Sequence, residues 1–221
     1  MKKLIYIFLL LCVTLVSVEA LEFRFLGWPG RIEGLYCRSD GEMVPLSLKM
    51  EVATKYFEQS SGQDLVLYVK NENPVEGEHP YLPVASVLSA NLPKTSCLVI
   101  VVKRENGSFS MVAIDDNMQD YPSGSLVLCS LVPYKIAMKV GDDIYTLAPL
   151  ETRAAERQLG NSTIQVVGFR GDERRVRYNA NILFRDKLRY FMFIQDSSVS
   201  QARSLSSGGG LEVFFHTDYI R

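Results

Sequence analysis

Residues 97–115, with the sequence CLVIVVKRENGSFSMVAID, decide the fold, because two short apolar runs flank a tight-turn signal. Cys97–Lys103 and Ser108–Asp115 carry the Val, Ile and Phe side chains that favour strands. Asn106-Gly107 lies between them, and both residue types tolerate a positive φ, which a tight hairpin requires. The sequence therefore predicts an antiparallel strand pair at this point in the chain.

Short strands bounded by turn residues continue along the rest of the chain. Leu46–Met50 alternates apolar and polar side chains, and Gly141-Asp142-Asp143 is a second tight-turn signal. Regular short strands of this kind are typical of sandwiches and barrels. We therefore predict an all-β fold, either one large β-sandwich or two tandem immunoglobulin-like β-sandwich domains, with at most one short helix. The remaining predicted strands are 22–26, 65–70, 81–88, 125–132, 135–140, 144–147, 163–170, 175–184, 188–195 and 211–216.

A domain boundary is expected near residue 120, where an acidic loop precedes the Pro122-Ser123-Gly124 bend. This gives an N-terminal β-sandwich domain, 21–120, and a C-terminal one, 121–221. Each half ends with a predicted strand pair, but the loops differ greatly in length, so the sequence does not establish a duplication. The one candidate helix is Glu151–Leu159, which Gly160 would end.

Residues 1–20 have the pattern of a secretory signal peptide. Lys2 and Lys3 precede the apolar run 4–16, and the segment ends at the small residue Ala20. The run is shorter than the roughly 20 residues that a membrane-spanning helix needs. We therefore expect a secreted, periplasmic or cell-surface protein whose mature chain starts at Leu21 and has no transmembrane segment.

The charge balance argues against a nucleic-acid partner. The whole chain has 24 basic and 25 acidic side chains, whereas nucleic-acid binders normally carry a basic excess. Residues 21–150 hold 11 basic and 16 acidic groups, and residues 151–221 hold 11 and 8. The C-terminal part could meet an anionic partner, or its charges could simply be solvated.

No catalytic constellation is visible, so we predict that the chain is not an enzyme, with a hydrolase as the weakest alternative. The only histidines are His79 and His216, and no Gly-x-Ser-x-Gly turn accompanies either. The spacing of Cys37, Cys97 and Cys129 matches no metal motif. We interpret all three as structural, with one disulfide plus one buried thiol still possible.

Arginine is concentrated in residues 170–189, which makes this segment a candidate binding surface. Arg175 and Arg177 are two residues apart, so an unbroken strand would place both on one face. Arg189 belongs to the same group, and Tyr178 and Tyr190 are close in sequence. Such a face could bind an anionic glycan, lipopolysaccharide or an acidic protein surface. The alternative is the exposed side of an amphipathic hairpin, since arginine is normally found at the surface.

Trp28 is the only tryptophan, and Gly27 and Pro29 beside it indicate a loop. An exposed tryptophan could stack on a sugar or anchor a protein partner. The alternative is that Trp28 closes one end of the sandwich.

Asp115, Asp116 and Asp120 form the best candidate metal site, because calcium takes several oxygen ligands from a loop. The stretch lacks the spacing of an EF-hand, and a capped turn between domains is the alternative. No other cofactor is predicted.

Several short stretches resemble a group of secreted, β-rich proteins from bacteria of the verrucomicrobial type, for which no activity is assigned. The resemblance implies export and a β architecture, without a mechanism. From the sequence we expect a non-enzymatic envelope or extracellular protein that contacts another protein, or a carbohydrate-binding module as the alternative. The stretches are Leu35-Tyr36-Cys37, Val44-Pro45-Leu46-Ser47-Leu48, Tyr81-Leu82-Pro83-Val84-Ala85, Ile114-Asp115-Asp116, Tyr121-Pro122-Ser123-Gly124-Ser125, Leu147-Ala148-Pro149 and Arg189-Tyr190-Phe191-Met192-Phe193-Ile194.

Overall fold

A computed structural model describes residues 20–104, 106–156, 159–170, 173–196 and 211–219. The predicted signal peptide therefore lies outside the described residues, except for Ala20. Within the described ranges, no helix has the length and apolar character needed to cross a membrane.

The described part of the chain is built from sixteen strands and one short 3₁₀ turn, which confirms the predicted all-β class. The elements are β1 (Ala20–Trp28), β2 (Ile32–Ser39), β3 (Glu42–Leu48), β4 (Phe57–Ser60), β5 (Leu65–Lys70), β6 (Tyr81–Val87), a 3₁₀ turn (Ser89–Asn91), β7 (Ser96–Lys103), β8 (Phe109–Asp115), β9 (Leu126–Ser130), β10 (Ile136–Val140), β11 (Asp143–Leu147), β12 (Thr152–Ala155), β13 (Gly160–Arg170), β14 (Glu173–Phe184), β15 (Leu188–Asp196) and β16 (Leu211–Tyr219).

The strands form four sheets of four strands each. Sheet A has the order β4-β1-β7-β8, and sheet B has the order β3-β2-β5-β6. Sheet C has the order β12-β9-β15-β16, and sheet D has the order β11-β10-β13-β14. Each of sheets A and C contains one parallel pair at its centre, β1 with β7 and β9 with β15, and the other pairs are antiparallel.

The two halves of the chain have the same topology. In the first half, successive strands enter sheets A, B, B, A, B, B, A and A, and in the second half they enter C, D, D, C, D, D, C and C. The strand directions also agree, including the central parallel pair. The similarity that the two terminal strand pairs suggested in the sequence thus extends to all eight strands of each half.

The four sheets stack in the order B, A, C, D, and three apolar layers lie between them. Phe23 and Val99 pack between sheets A and B. Ile100 and Phe193 pack between sheets A and C, and Met138 packs between sheets C and D. Sheets A and C are therefore buried on both faces, which explains why β7 and β9 are continuous apolar runs without alternation.

The predicted helix Glu151–Leu159 is wrong, because Thr152–Ala155 forms the edge strand β12 instead. Its Ala and Arg residues favour a helix, but the segment pairs antiparallel with β9, from Thr152 opposite Cys129 to Ala155 opposite Leu126. Tertiary pairing at the edge of sheet C here overrides the local preference. The strands β2 and β4 were not predicted at all.

Both predicted tight turns are present. Gly107 has φ 79° between β7 and β8, and Gly141 has φ 60° between β10 and β11. The last strand of the first half ends at Asp115 and the next begins at Leu126. The division into domains at residue 120 falls in this connection and stays a prediction, because a shared apolar layer joins the two halves.

Candidate functional site

Trp28 is not an exposed ring, so the hypothesis that it stacks on a sugar or anchors a protein partner is wrong. It is the last residue of β1, is 7% exposed and lies in the layer between sheets A and C. Its ring stacks on Phe214 with the centroids 3.7 Å apart. Trp28 therefore joins the two halves of the molecule.

A β-bulge interrupts the strand that carries the predicted basic face. In β14, Tyr178 pairs with Val166 while Val176 pairs with Val167, so Arg177 is the extra residue of a β-bulge. The bulge breaks the strict alternation on which the shared face of Arg175 and Arg177 depended. Tyr178 packs against the core between sheets C and D, which leaves it partly buried.

Arg189 lies in β15, not in β14, and is fully buried. Arg189 belongs to a buried charge cluster. This charge cluster consists of Arg24, Asp116, Arg189 and Asp218. Arg189 donates to Asp116 at 2.6 Å and to Asp218 at 2.7 Å. Arg24 donates to the same two carboxylates, at 2.7 Å to Asp116 and 2.5 Å to Asp218. Two charges come from each half of the chain, so the cluster joins the halves beside their apolar interface.

The cluster balances its own charges. Burial opposes the charged form of Arg24, but the Asp218 and Asp116 carboxylates outweigh it and raise the pKa of Arg24. Burial likewise opposes the charge on Asp218, yet its hydrogen bonds from Arg24 and Arg189 hold its pKa below the usual value. Tyr56 covers the cluster from the solvent side, because its hydroxyl donates to Asp116 at 3.1 Å and its ring lies 5.1 Å from the Arg24 guanidinium.

The three aspartates of the predicted calcium site each have another use. Asp116 forms ion pairs within the charge cluster. Asp115 accepts a hydrogen bond from the Asn117 backbone N–H at 2.9 Å, and Asp120 accepts one from the Asn117 side-chain amide at 2.8 Å. These are the bonds of a capped turn, which was the alternative. Within the described ranges, no group of three or more His, Cys, Asp or Glu side chains is placed to hold a metal ion.

The cysteines and histidines offer no activated nucleophile in the described part of the chain. Cys37, Cys97 and Cys129 are buried free thiols, and burial raises the pKa of Cys37 and of Cys97 to about 12. His216 is buried between sheets A and C, where its Nδ1 lies 3.2 Å from the Glu51 carbonyl oxygen. His79 is exposed, and its Nδ1 accepts the Tyr81 backbone N–H at 3.1 Å.

Sequence reasoning missed an aromatic surface on the outer face of sheet B, which we call the tyrosine face and define as Tyr36, Tyr68 and Tyr81. Leu35 and Cys37 are buried on either side of Tyr36, so Tyr36 points away from the core. It lies opposite Tyr68 in the β2–β5 register, and its ring contacts Tyr81 with centroids 4.9 Å apart. All three side chains are partly exposed.

Two exposed prolines extend this face across the whole sheet. Pro45 lies opposite Tyr36, and Pro83 lies opposite Tyr68. One row therefore crosses all four strands of sheet B as Pro45, Tyr36, Tyr68 and Pro83. The signal in the sequence was the alternation Leu35-Tyr36-Cys37, which places the ring outward once β2 is recognised as a strand.

A cleft of about 540 Å³ adjoins the tyrosine face at Tyr68. Its charged lining consists of Arg38 and the acidic side chains Asp40, Glu58 and Asp64. A second cleft of about 620 Å³ lies over Tyr56 and Asp116, on the solvent side of the charge cluster. The first cleft and the tyrosine face form one continuous surface with an aromatic middle and an acidic end.

The comparisons with known proteins do not extend this description. No protein-family model matches the chain, and no curated protein matches it.

Proposed function

We propose that this is a non-enzymatic binding protein, secreted or associated with the cell envelope, that contacts another protein through the tyrosine face. The observation that carries the proposal is the row of two tyrosines and two prolines across sheet B, with Tyr81 packed beside it. Export is proposed from the pattern of residues 1–20, and the immunoglobulin-like class of the sandwiches belongs to the same proposal.

The composition of the face supports a protein partner. Tyrosine is enriched at protein interfaces, because it offers a large contact area at low cost in side-chain entropy. The outward rows of an antiparallel sheet are normally polar, so partly exposed aromatic side chains and exposed prolines on one row are unusual. Such a row supports contact with another polypeptide.

Ring orientation favours a protein over a sugar. The rings of Tyr36 and Tyr81 meet at 62°, edge to face, so they do not form a flat platform. A carbohydrate site needs an open aromatic face on which a sugar ring can stack, and Trp28, the residue expected to supply it, is buried. The carbohydrate-binding alternative therefore has no specific support from the described side chains.

Site-specific photo-crosslinking tests the proposal. A photoreactive phenylalanine analogue placed at Pro45 or Pro83 is expected to trap one defined protein in the producing cell, because both positions border the tyrosines and are exposed. Thr146 is exposed in sheet D, in the other half, and the same analogue there serves as the matched control.

The outcome should depend on the tyrosines themselves. Replacing Tyr36 and Tyr68 together by serine should abolish the crosslink at Pro83 without changing secretion. Equal crosslinking at Pro83 and Thr146 would contradict the proposal. Binding on a glycan array that is lost in the same double variant would replace it with the carbohydrate alternative.

A further inference from the structure

We infer that the tyrosine face and the adjoining cleft take an extended polypeptide segment that carries lysine or arginine side chains. This inference depends on the proposed function, and it names the chemistry of the partner. It rests on three features of this surface: the aromatic row, the cleft at its end and the distribution of charge around both.

Charge around the face is predominantly negative. The cleft beside Tyr68 has three acidic side chains and one arginine in its lining. At the other end, the loop that leads to Tyr81 carries Glu72, Glu76 and Glu78, and the one basic residue there is Lys70, which lies opposite Tyr81. Residues 21–120 hold 9 basic and 14 acidic groups, a difference of −5. A cationic segment is therefore attracted to this half of the molecule.

The aromatic side chains suit the same partner. A lysine or arginine side chain gains energy over the face of a tyrosine ring, and its apolar stem covers aromatic surface. The protein uses this contact internally, where the Arg24 guanidinium lies 5.1 Å from the Tyr56 ring centre. Tyr36 and Tyr68 offer partly exposed rings at which a partner can make the same contact.

The dimensions match a short extended segment. Four strands at a spacing of about 4.8 Å make the row from Pro45 to Pro83 roughly 14 Å long. An extended chain advances about 3.3 Å per residue, so about four residues span the row. The cleft of about 540 Å³ begins at Tyr68 and can receive a basic side chain from the same segment.

Three synthetic peptides with one backbone and different charges provide the test: four repeats of Lys-Pro-Gly, of Ser-Pro-Gly and of Glu-Pro-Gly. Each is labelled and titrated with the purified protein, with fluorescence anisotropy as the readout. The lysine peptide should bind at least about tenfold more tightly than the other two at low ionic strength, and about 1 M salt should weaken it strongly.

Two sets of variants separate a specific site from general attraction to an acidic protein. Tyr68→Phe keeps the ring and should keep the affinity, whereas Tyr68→Leu should lower it at least about fivefold. Asp40→Asn combined with Glu58→Gln should lower it to a similar extent. Asp142→Asn is the matched control, since Asp142 is exposed in the β10–β11 turn, the counterpart of the β2–β3 turn that holds Asp40.

The results distinguish this inference from the proposed function. The inference is overturned if the serine or glutamate peptide binds as well as the lysine peptide, or if Tyr68→Leu and the double charge variant have no effect. If crosslinks at Pro45 and Pro83 persist in that case, the proposed contact with another protein is retained. Only the inference that this protein presents a basic segment is then rejected. If the crosslinks are also absent, the proposed function fails as well.

Discussion

Arg24 and Arg189 are the residues whose placement is least expected, because both are charged and lie where the two halves meet. Burying an ion is costly unless it is paired and its hydrogen bonds are made. Here each arginine contacts both Asp116 and Asp218, so the four charges offset one another. The arrangement stabilises one alignment of the halves, since any other would leave a buried charge without its partner.

Removing one member of this cluster should be strongly destabilising. Asp116→Asn leaves two buried guanidinium groups with a single carboxylate, and we expect the free energy of unfolding to fall by about 3–5 kcal/mol. Chemical denaturation measures the change. Glu33→Gln is the control, because the Arg31–Glu33 pair is at least 60% exposed on both sides and should contribute no more than about 1 kcal/mol. Similar losses in the two variants would contradict the buried cluster.

Stability should fall in acid in two steps. Burial lowers the pKa of His216 below its ordinary 6.5, so the unfolded chain binds this proton more readily and the folded state loses stability as the pH falls below about 6.5. The pKa of Asp218 is also lowered from its ordinary value of 3.8. Asp218 therefore adds a second loss of stability only when the pH falls below about 3.8.

Denaturation measured across a pH series checks the first step. His216→Phe should remove the loss of stability that begins below about pH 6.5, because a phenylalanine side chain does not bind a proton. An unaltered slope in His216→Phe would assign the effect to another group.

At the scale of single elements, two glycines are required for different physical reasons. Gly27 lies in β1, where an added Cβ would meet the Cβ of Leu48 at 2.7 Å, so β1 and the end of β3 approach too closely for any side chain. Gly107 has open space around it but a φ of 79°, which side chains rarely adopt. The first glycine sets the packing of an element, and the second sets the turn between two elements.

Substitution by alanine and by asparagine should separate these two causes. Gly107→Ala should cost about 1–2 kcal/mol and Gly107→Asn less, because asparagine tolerates the left-handed region. Gly27→Ala should cost about 1–3 kcal/mol and Gly27→Asn at least as much, since the obstacle there is steric. Thermal unfolding of the four variants provides the measurement. A gain in stability from alanine to asparagine at Gly27 would contradict the close approach.

At the scale of the whole molecule, the repeated eight-strand topology does not produce two separate bodies. Sheets A and C face each other, and the layer between them contains large side chains from both halves, among them Ile100, Phe191, Phe193 and Phe214. Each half alone would expose this apolar surface to water. The molecule is therefore a stack of four sheets, and both halves contribute side chains to the apolar layer between sheets A and C.

This stacking predicts a single cooperative unfolding transition. Calorimetry of the intact chain should show one peak, and Phe193→Ala, which removes a fully buried ring from the middle layer, should lower its midpoint by an amount that corresponds to about 3–5 kcal/mol. Ile144→Ala is the control, because Ile144 is 75% exposed. Two separate peaks, only one of which moves in Phe193→Ala, would show that the halves unfold independently.

Local signals were sufficient for most strands and turns. β5 was predicted with its observed bounds, and the turns at Gly107 and Gly141 follow from the backbone freedom of glycine beside a polar residue. The predicted helix at Glu151–Leu159 failed for a physical reason. β12 looked helical because a short edge strand is held by its neighbour β9, and no local pattern reports that neighbour.

The sequence by itself determined the all-β class, the positions of most strands and the tight turns, because these depend on side-chain periodicity and on glycine within a few residues. Only the tertiary structure decided which side chains are exposed. It buried Trp28 against Phe214, paired Arg24 with Asp218 across 194 residues and brought Tyr36, Tyr68 and Tyr81 together on one sheet face. The physical reason is that burial, charge pairing and surface aromatic clusters depend on contacts between strands that are distant in the chain.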